Sequence, residues 1–207
     1  RWARGPFEMM NRIGVGEACR MAKAYAQTAG EGWTVPAFFA DQGDGAWDFS
    51  YVDSNVSDGI ATITINRPEA MNALNVVVIG QLTEAVAAAN ADDAVHTIVL
   101  DGAGKAFVAG ADVKFFVDKI RADAIPDIYD FTADGHDLLN MLENSSKTTV
   151  ALTTGLALGG GLELALACDY RIGTRRTQFR VPETSIGIYP GLGGSQRPAR
   201  ICGIPAA

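Results

Sequence analysis

Glu163 is the only charged side chain between Lys147 and Asp169, and it comes directly after Gly159-Gly160-Gly161-Leu162. The Leu164-Ala165-Leu166-Ala167 run behind it has the composition of a helix that is apolar on every face, which belongs in a core. A carboxylate buried there costs several kcal/mol unless it is partnered or keeps its proton. A capping-box glutamate is one explanation, but that motif needs Ser or Thr at the N-cap, where this stretch offers glycine. The other explanation is chemical. Backbone N–H groups at a glycine-rich helix start suit a polarised carbonyl, and a carboxyl group one turn away makes the pair an oxyanion donor beside an acid/base.

Three further stretches carry chemistry-capable residues. Ala109-Gly110-Ala111-Asp112 is a second glycine-bearing loop, Val181-Pro182-Glu183-Thr184 supplies a second carboxylate, and Pro190-Gly191-Leu192-Gly193-Gly194 is a glycine string. The string follows a proline instead of a strand and lacks the third glycine of a dinucleotide fingerprint. Gly102-Ala103-Gly104-Lys105 likewise falls short of a phosphate loop.

The elements that must position these residues read as alternating strands and helices. Residues 7–27 have mixed three and four apolar spacing and suggest one helix, or two split by Gly14 and Gly16; residues 30–45 turn to Gly, Asp and Pro and read as a linker. Residues 49–56 and 60–65 are β-branched and aromatic runs joined by Ser57-Asp58-Gly59, the turn chemistry of a hairpin. A helix follows over 75–90, a buried strand over 96–100, a loop over 102–112, a helix over 126–144, a strand over 148–152 and short strands over 170–173 and 178–181. The alternation argues for an α/β fold. If the strands near Leu100 and Leu152 are sheet neighbours, the loops carrying Ala111 and Gly160 emerge from one edge, and two N–H groups converge there.

Composition excludes several classes. With 207 residues, 48% hydrophobic and 20% charged, the chain can bury a sizeable core. A net charge of −7 argues against broad nucleic-acid binding. No apolar run has the length of a membrane span. Cys19, Cys168 and Cys202 are an odd, widely spaced set, as in reduced cytoplasmic proteins. His96 and His136 form no ligand-spaced pair, so no metal site is expected.

Phe107-Val108-Ala109-Gly110-Ala111-Asp112-Val113-Lys114, Gly159-Gly160-Gly161-Leu162-Glu163, Pro182-Glu183 and the 190–194 glycine string stand in the order and spacing of the crotonase (enoyl-CoA hydratase/isomerase) superfamily. Asn66-Arg67-Pro68-Glu69-Ala70-Met71-Asn72-Ala73-Leu74 also resembles its N-terminal signature. The resemblance implies a crotonase-like ββα-repeat spiral over residues 51–207 and an acyl-CoA thioester whose carbonyl oxygen is held by the N–H groups of Ala111 and Gly160. Glu163 and Glu183 match the two glutamates of the hydratases, which implies hydration of a 2-enoyl-CoA, with Glu163 activating water and Glu183 supplying the α-proton. Ala109, Asp112, Lys114 and Gly191 match positions that bind the CoA substrate. Hydration needs no cofactor, since the CoA thioester is the substrate.

Residues 1–50 separate from this pattern. Gly5-Pro6-Phe7-Glu8-Met9-Met10-Asn11-Arg12-Ile13-Gly14 resembles the C-terminal region of 3-hydroxyacyl-CoA dehydrogenases, which precede a crotonase domain in some fused proteins; NAD would belong to such a dehydrogenase part. Glu69 departs from the basic or neutral residue common at that place. The superfamily continues past the position of Ala207 with helices that close the acyl pocket and build a homotrimer, so reduced or absent turnover is expected of the chain by itself. Double-bond isomerisation and non-catalytic acyl-CoA binding are the alternative readings.

Overall fold

The computed structural model describes residues 5–30 and 32–203; residues 1–4, Glu31 and 204–207, on which parts of the terminal expectations fall, lie outside the described residues. The chain divides into two compact units, Arg1–Phe49 and Ser50–Ala207.

In the first unit, α1 (Pro6–Ile13) and α2 (Val15–Ala26) break at Gly14, whose φ of +91° ends the first helix. The expected linker over 30–45 is instead partly folded. Phe38–Gln42 forms α3, and Phe39 is buried with Val15 and Ala18 of α2, against Phe38 and Trp47. Asn11 closes this small core by donating to the Trp47 carbonyl (2.7 Å) and accepting from its N–H (2.8 Å). Aromatic residues spaced through a Gly/Asp-rich stretch carried the signal.

In the second unit, β1 (Val52–Ser57) and β2 (Ile60–Ile65) form the expected antiparallel hairpin. Its two turn residues, Asp58 and Gly59, both have positive φ (52° and 75°), the conformation whose twist matches paired strands. β3 (Thr97–Gly102), β5 (Thr148–Thr153) and β7 (Tyr170–Gly173) add in parallel, giving the order β1-β2-β3-β5-β7. A second parallel sheet, β4-β6-β8, is built from Ala106–Ala109, Leu156–Leu158 and Gln178–Arg180. From β3 onward, each strand of the large sheet is followed by one of the small sheet, so the chain spirals through repeated strand-strand-helix units.

Helix α4 (Val76–Ala91) starts at Asn75, whose side chain accepts from the Val78 N–H, and packs on β1, β2 and α6 (Ile125–Glu143). Its Val78, Ile79, Leu82 and Val86 are buried with Ile63, Ile98, Phe107 and Leu139. Each fully buried side chain of this kind stabilises by about 1.5–3 kcal/mol. Helix α5 (Val113–Arg121) packs on α6 through Phe115 and Phe116, whose rings lie 5.1 and 5.4 Å from that of Phe131. Helix α7 (Gly160–Leu166) packs on β4, β5 and β6, and α8 spans Arg197–Cys202. No described helix is long and apolar enough to cross a membrane.

Candidate active site

The small sheet sets the site. Ala109 pairs with Leu158, and Leu158 with Arg180, so the last residues of β4, β6 and β8 stand level. The three segments that follow, Gly110-Ala111-Asp112, Gly159-Gly160-Gly161 and Val181-Pro182-Glu183, therefore leave the sheet side by side. The first two loops do not follow the strands ending near Leu100 and Leu152 directly, as the sequence suggests; β4 and β6 stand between and carry them further, while β8 matches the strand expected ahead of Glu183.

Leu74 orients the first segment. Its N–H donates to the Gly110 carbonyl (2.9 Å) and its carbonyl accepts from the Asp112 N–H (2.8 Å), a parallel bridge that turns the Ala111 N–H away from Leu74. A Cβ built on Gly160 would stand 3.9 Å from the Ala111 nitrogen, so the two peptides are neighbours. Among the described residues, no carbonyl accepts from either the Ala111 or the Gly160 N–H.

Glu163 is 1% exposed. Its Oε1 accepts from the N–H groups of Leu192 and Gly194, both at 2.7 Å. Burial pushes its carboxyl above the usual carboxylate range and the negative charge of Glu183 adds to this, while the two backbone donors and Arg197 oppose it. The 190–194 glycine string is thus the cradle of Glu163.

Glu183 lies in a 3-10 turn, Pro182–Ile186, that opens right after β8. The β8 end is tied to the α7 start by the Gly159 N–H donating to the Arg180 carbonyl (2.9 Å). Gly159 has φ +48°, which favours glycine, and a Cβ on it would come within 2.4 Å of Glu183 Oε1 and displace that carboxyl group. Among the described residues, Glu183 Oε2 is the one buried side-chain polar atom that no protein group hydrogen-bonds. An unsatisfied buried acceptor costs about 1–3 kcal/mol, more when charged.

Glu163, Glu183, Ala111 and Gly160 are thus brought together around the start of α7. The remaining site candidates lie on the adjoining β4 end and the glycine string. Ala109 is half-buried and its N–H donates to the Met71 carbonyl (3.0 Å). Asp112 has both oxygens engaged: one caps α5 at the Lys114 N–H (3.2 Å), the other meets Arg67 at 3.0 Å. Lys114 is exposed in the first turn of α5. Gly191 is half-buried with open space where a Cβ would sit. Glu69 stands 3.9 Å from Arg67.

Three structural partners of the site had no assigned role in the sequence. Asn72 is fully buried at φ +58°; it accepts from the Arg67 N–H and donates to the carbonyls of Ala103 and Ala106, joining the 66–74 segment to the start of β4. Arg197 and Glu143 support the glycine string from behind. Arg197 was discoverable as the first cation after that string; Glu143, on α6, had no signal.

Two unused N–H groups side by side can hold a carbonyl oxygen that gains charge, and each such donor is worth about 3–4 kcal/mol in a transition state. Two buried carboxylates at the same helix start can move protons on either side of the polarised group. Close carboxylates titrate as a pair, not individually.

Residues 60–204 match the family model described as enoyl-CoA hydratase/isomerase. The chain is similar to a crotonyl-CoA hydratase of Syntrophomonas wolfei, 42% identical over 145 residues, covering 70% of this chain and 54% of that protein. It is also similar to a peroxisomal fatty acid beta-oxidation multifunctional protein of rice, 40% identical over 151 residues, covering 73% of this chain and 20% of that one. Among solved structures it resembles an enoyl-CoA hydratase from Bacillus halodurans with a TM-score of 0.72 and 30% identity, covering 75% of this chain and 62% of that one. The chain spans about half the length of most of the curated relatives it matches.

Proposed function

The chain belongs to the enoyl-CoA hydratase/isomerase family, and from that premise we propose that it adds water across the double bond of a 2-enoyl-CoA to give a 3-hydroxyacyl-CoA. The thioester oxygen accepts from the N–H groups of Ala111 and Gly160, which stabilise the enolate formed as the double bond is attacked. Glu163 takes a proton from water as the water oxygen bonds to C3, and Glu183 delivers a proton to C2. The net change is one water gained and the carboxyl pair restored by exchange of a single proton. Ala109, Asp112, Lys114 and Gly191 flank the path of the CoA portion, Asp112 through its hold on Arg67 and α5.

One observation carries this reading. Two carboxyl groups and two unused amides are gathered at a single helix start, where Glu183 Oε2 accepts nothing from the protein. Oε2 is accordingly the atom assigned to deliver the proton. The 1–50 unit we assign to the C-terminal part of a 3-hydroxyacyl-CoA dehydrogenase, whose substrate is the product of this reaction.

Incubating the chain with crotonyl-CoA and following the thioester by mass tests the reading. A gain of one water is expected. Isomerisation of a 3-enoyl-CoA with no mass change, or binding of the thioester with no conversion of either compound, would overturn it.

A further inference from the structure

Behind the glycine string, Arg197 is 7% exposed and reaches three acceptor oxygens on two residues. Its Nη1 donates to the Leu192 carbonyl, and its Nε and Nη2 fork onto the two carboxylate oxygens of Glu143 at 3.1 and 2.8 Å. The same Leu192 peptide unit region, with Gly194, provides the two N–H groups that hold Glu163 Oε1. Gly193 between them has φ +97°, and a Cβ there would fall 2.1 Å from Arg197 Nη1, so the guanidinium lies directly against the turn. A planar fork locked on α6 by a bidentate partner cannot slide, and the turn it holds cannot relax.

We infer that Arg197, clamped by Glu143, is the positioning residue that fixes the 192–194 turn and through it the orientation of the Glu163 carboxylate for proton transfer. This rests on the hydration reading above. The relay spans α6, α8, the turn and α7, and Arg197 touches no part of the reacting site itself. The charged groups facing Glu163 are Glu183 from the 3-10 turn and Arg197 from α8; those facing Glu143 on α6 are Arg197 and Arg200, both from α8.

The test uses the full chain with Arg197→Met, Arg197→Lys and wild type, each first checked for folding by circular dichroism and thermal melting. Two readouts are taken: hydration of crotonyl-CoA across pH, and the Glu163 side-chain carbon titration by NMR, assigned with Glu163→Gln. Loss of the arginine removes a cation and frees two N–H donors, and both losses disfavour the ionised carboxylate. Arg197→Met is therefore expected to move the Glu163 midpoint and the acid limb of kcat/KM to higher pH. Its kcat is expected to fall about 10- to 100-fold, the scale of a misplaced catalytic group, with KM unchanged. Arg197→Lys keeps charge without the fork and should restore only part of both.

An unmoved Glu163 midpoint in folded Arg197→Met, or full recovery by lysine, would overturn the positioning role. A wild-type chain that hydrates nothing would overturn the hydration reading instead, while the carbon titration still decides the relay. Should Arg197→Met fail to fold, Arg197→Lys alone decides through the same midpoint and kcat.

Discussion

Adjacent glycines at the start of α7 should fail in different ways when each is replaced by alanine. At Gly161 a Cβ would lie 2.1 Å from the Val108 carbonyl oxygen and 2.7 Å from the Val108 Cβ. Ordinary carbon contacts begin near about 3.5 Å, so α7 would have to withdraw from β4 by more than about 1 Å. The obstacle is the hydrogen-bonded backbone of β4, and Leu164 and Ala165 on the same helix are fully buried. Overpacking of this kind costs about 1–3 kcal/mol and more where nothing can yield. At about 3 kcal/mol, and 2–4 °C per kcal/mol for a domain of this size, Gly161→Ala should melt about 6–12 °C below wild type.

At Gly160 the neighbours are different. The nearest atom to its Cβ would be Leu74 Cδ1 at 3.2 Å, the end of a side chain that can rotate, then Leu192 Cδ1 at 3.7 Å and the Ala111 nitrogen at 3.9 Å. Stability should change by less than about 1 kcal/mol, helped by alanine's better helix propensity. The methyl group, however, stands beside the Ala111 N–H, where the proposed mechanism seats the thioester oxygen. Hydration by Gly160→Ala should fall by about 10²- to 10³-fold, as when one oxyanion donor is lost. Melting curves beside crotonyl-CoA turnover for the two variants test this directly. Wild-type turnover in Gly160→Ala would refute the amide pair as an oxyanion site, and a wild-type melting temperature in Gly161→Ala would refute the close helix-sheet contact.

Glu163→Gln and Glu183→Gln should each lower hydration at least about 10²-fold while leaving binding of a CoA thioester, followed by calorimetry, unchanged. Because burial raises the Glu163 carboxyl above its ordinary 4.5, the folded chain binds more protons than the unfolded one between that value and the folded midpoint. Its stabilising contribution is complete below pH 4.5 and is lost as pH rises through the folded midpoint. Glu163→Gln should therefore flatten the fall in melting temperature above pH 4.5; an unchanged slope would refute the buried-charge account. Asn72→Ala removes three side-chain hydrogen bonds at a left-handed position and should cost about 3 kcal/mol or more in urea unfolding. Burial pushes the Cys168 thiol up to about 12, so in the native chain Cys168 should resist an aromatic disulfide reagent at neutral pH while the exposed Cys202 reacts.

What was legible in the sequence depended on how local the cause was. The hairpin follows from Asp58-Gly59, and α4 from its apolar spacing behind Asn75, because each is decided within a few residues. The strands β4 and β6 were not read, since four and three residues are too few for a period and each is held only by partners far along the chain. Helix α5 lacked a buried residue to mark it, although Asp112 was in place as its cap. The same division runs through the site. Glu163 stood out because a lone charge in an apolar run is improbable without a reason, and the motif spacing added Ala111, Gly160 and Glu183. Its cradle did not, because Leu192 and Gly194 contribute backbone N–H groups, which carry no side-chain signature, across 29 and 31 positions. Glu143 is further removed, 54 positions from the arginine it grips. A sequence can thus announce a buried charged side chain, whose type stands out against its neighbours, more readily than the groups that hold it in place. Those need only geometry, and the small sheet supplies it by ending three strands at one level.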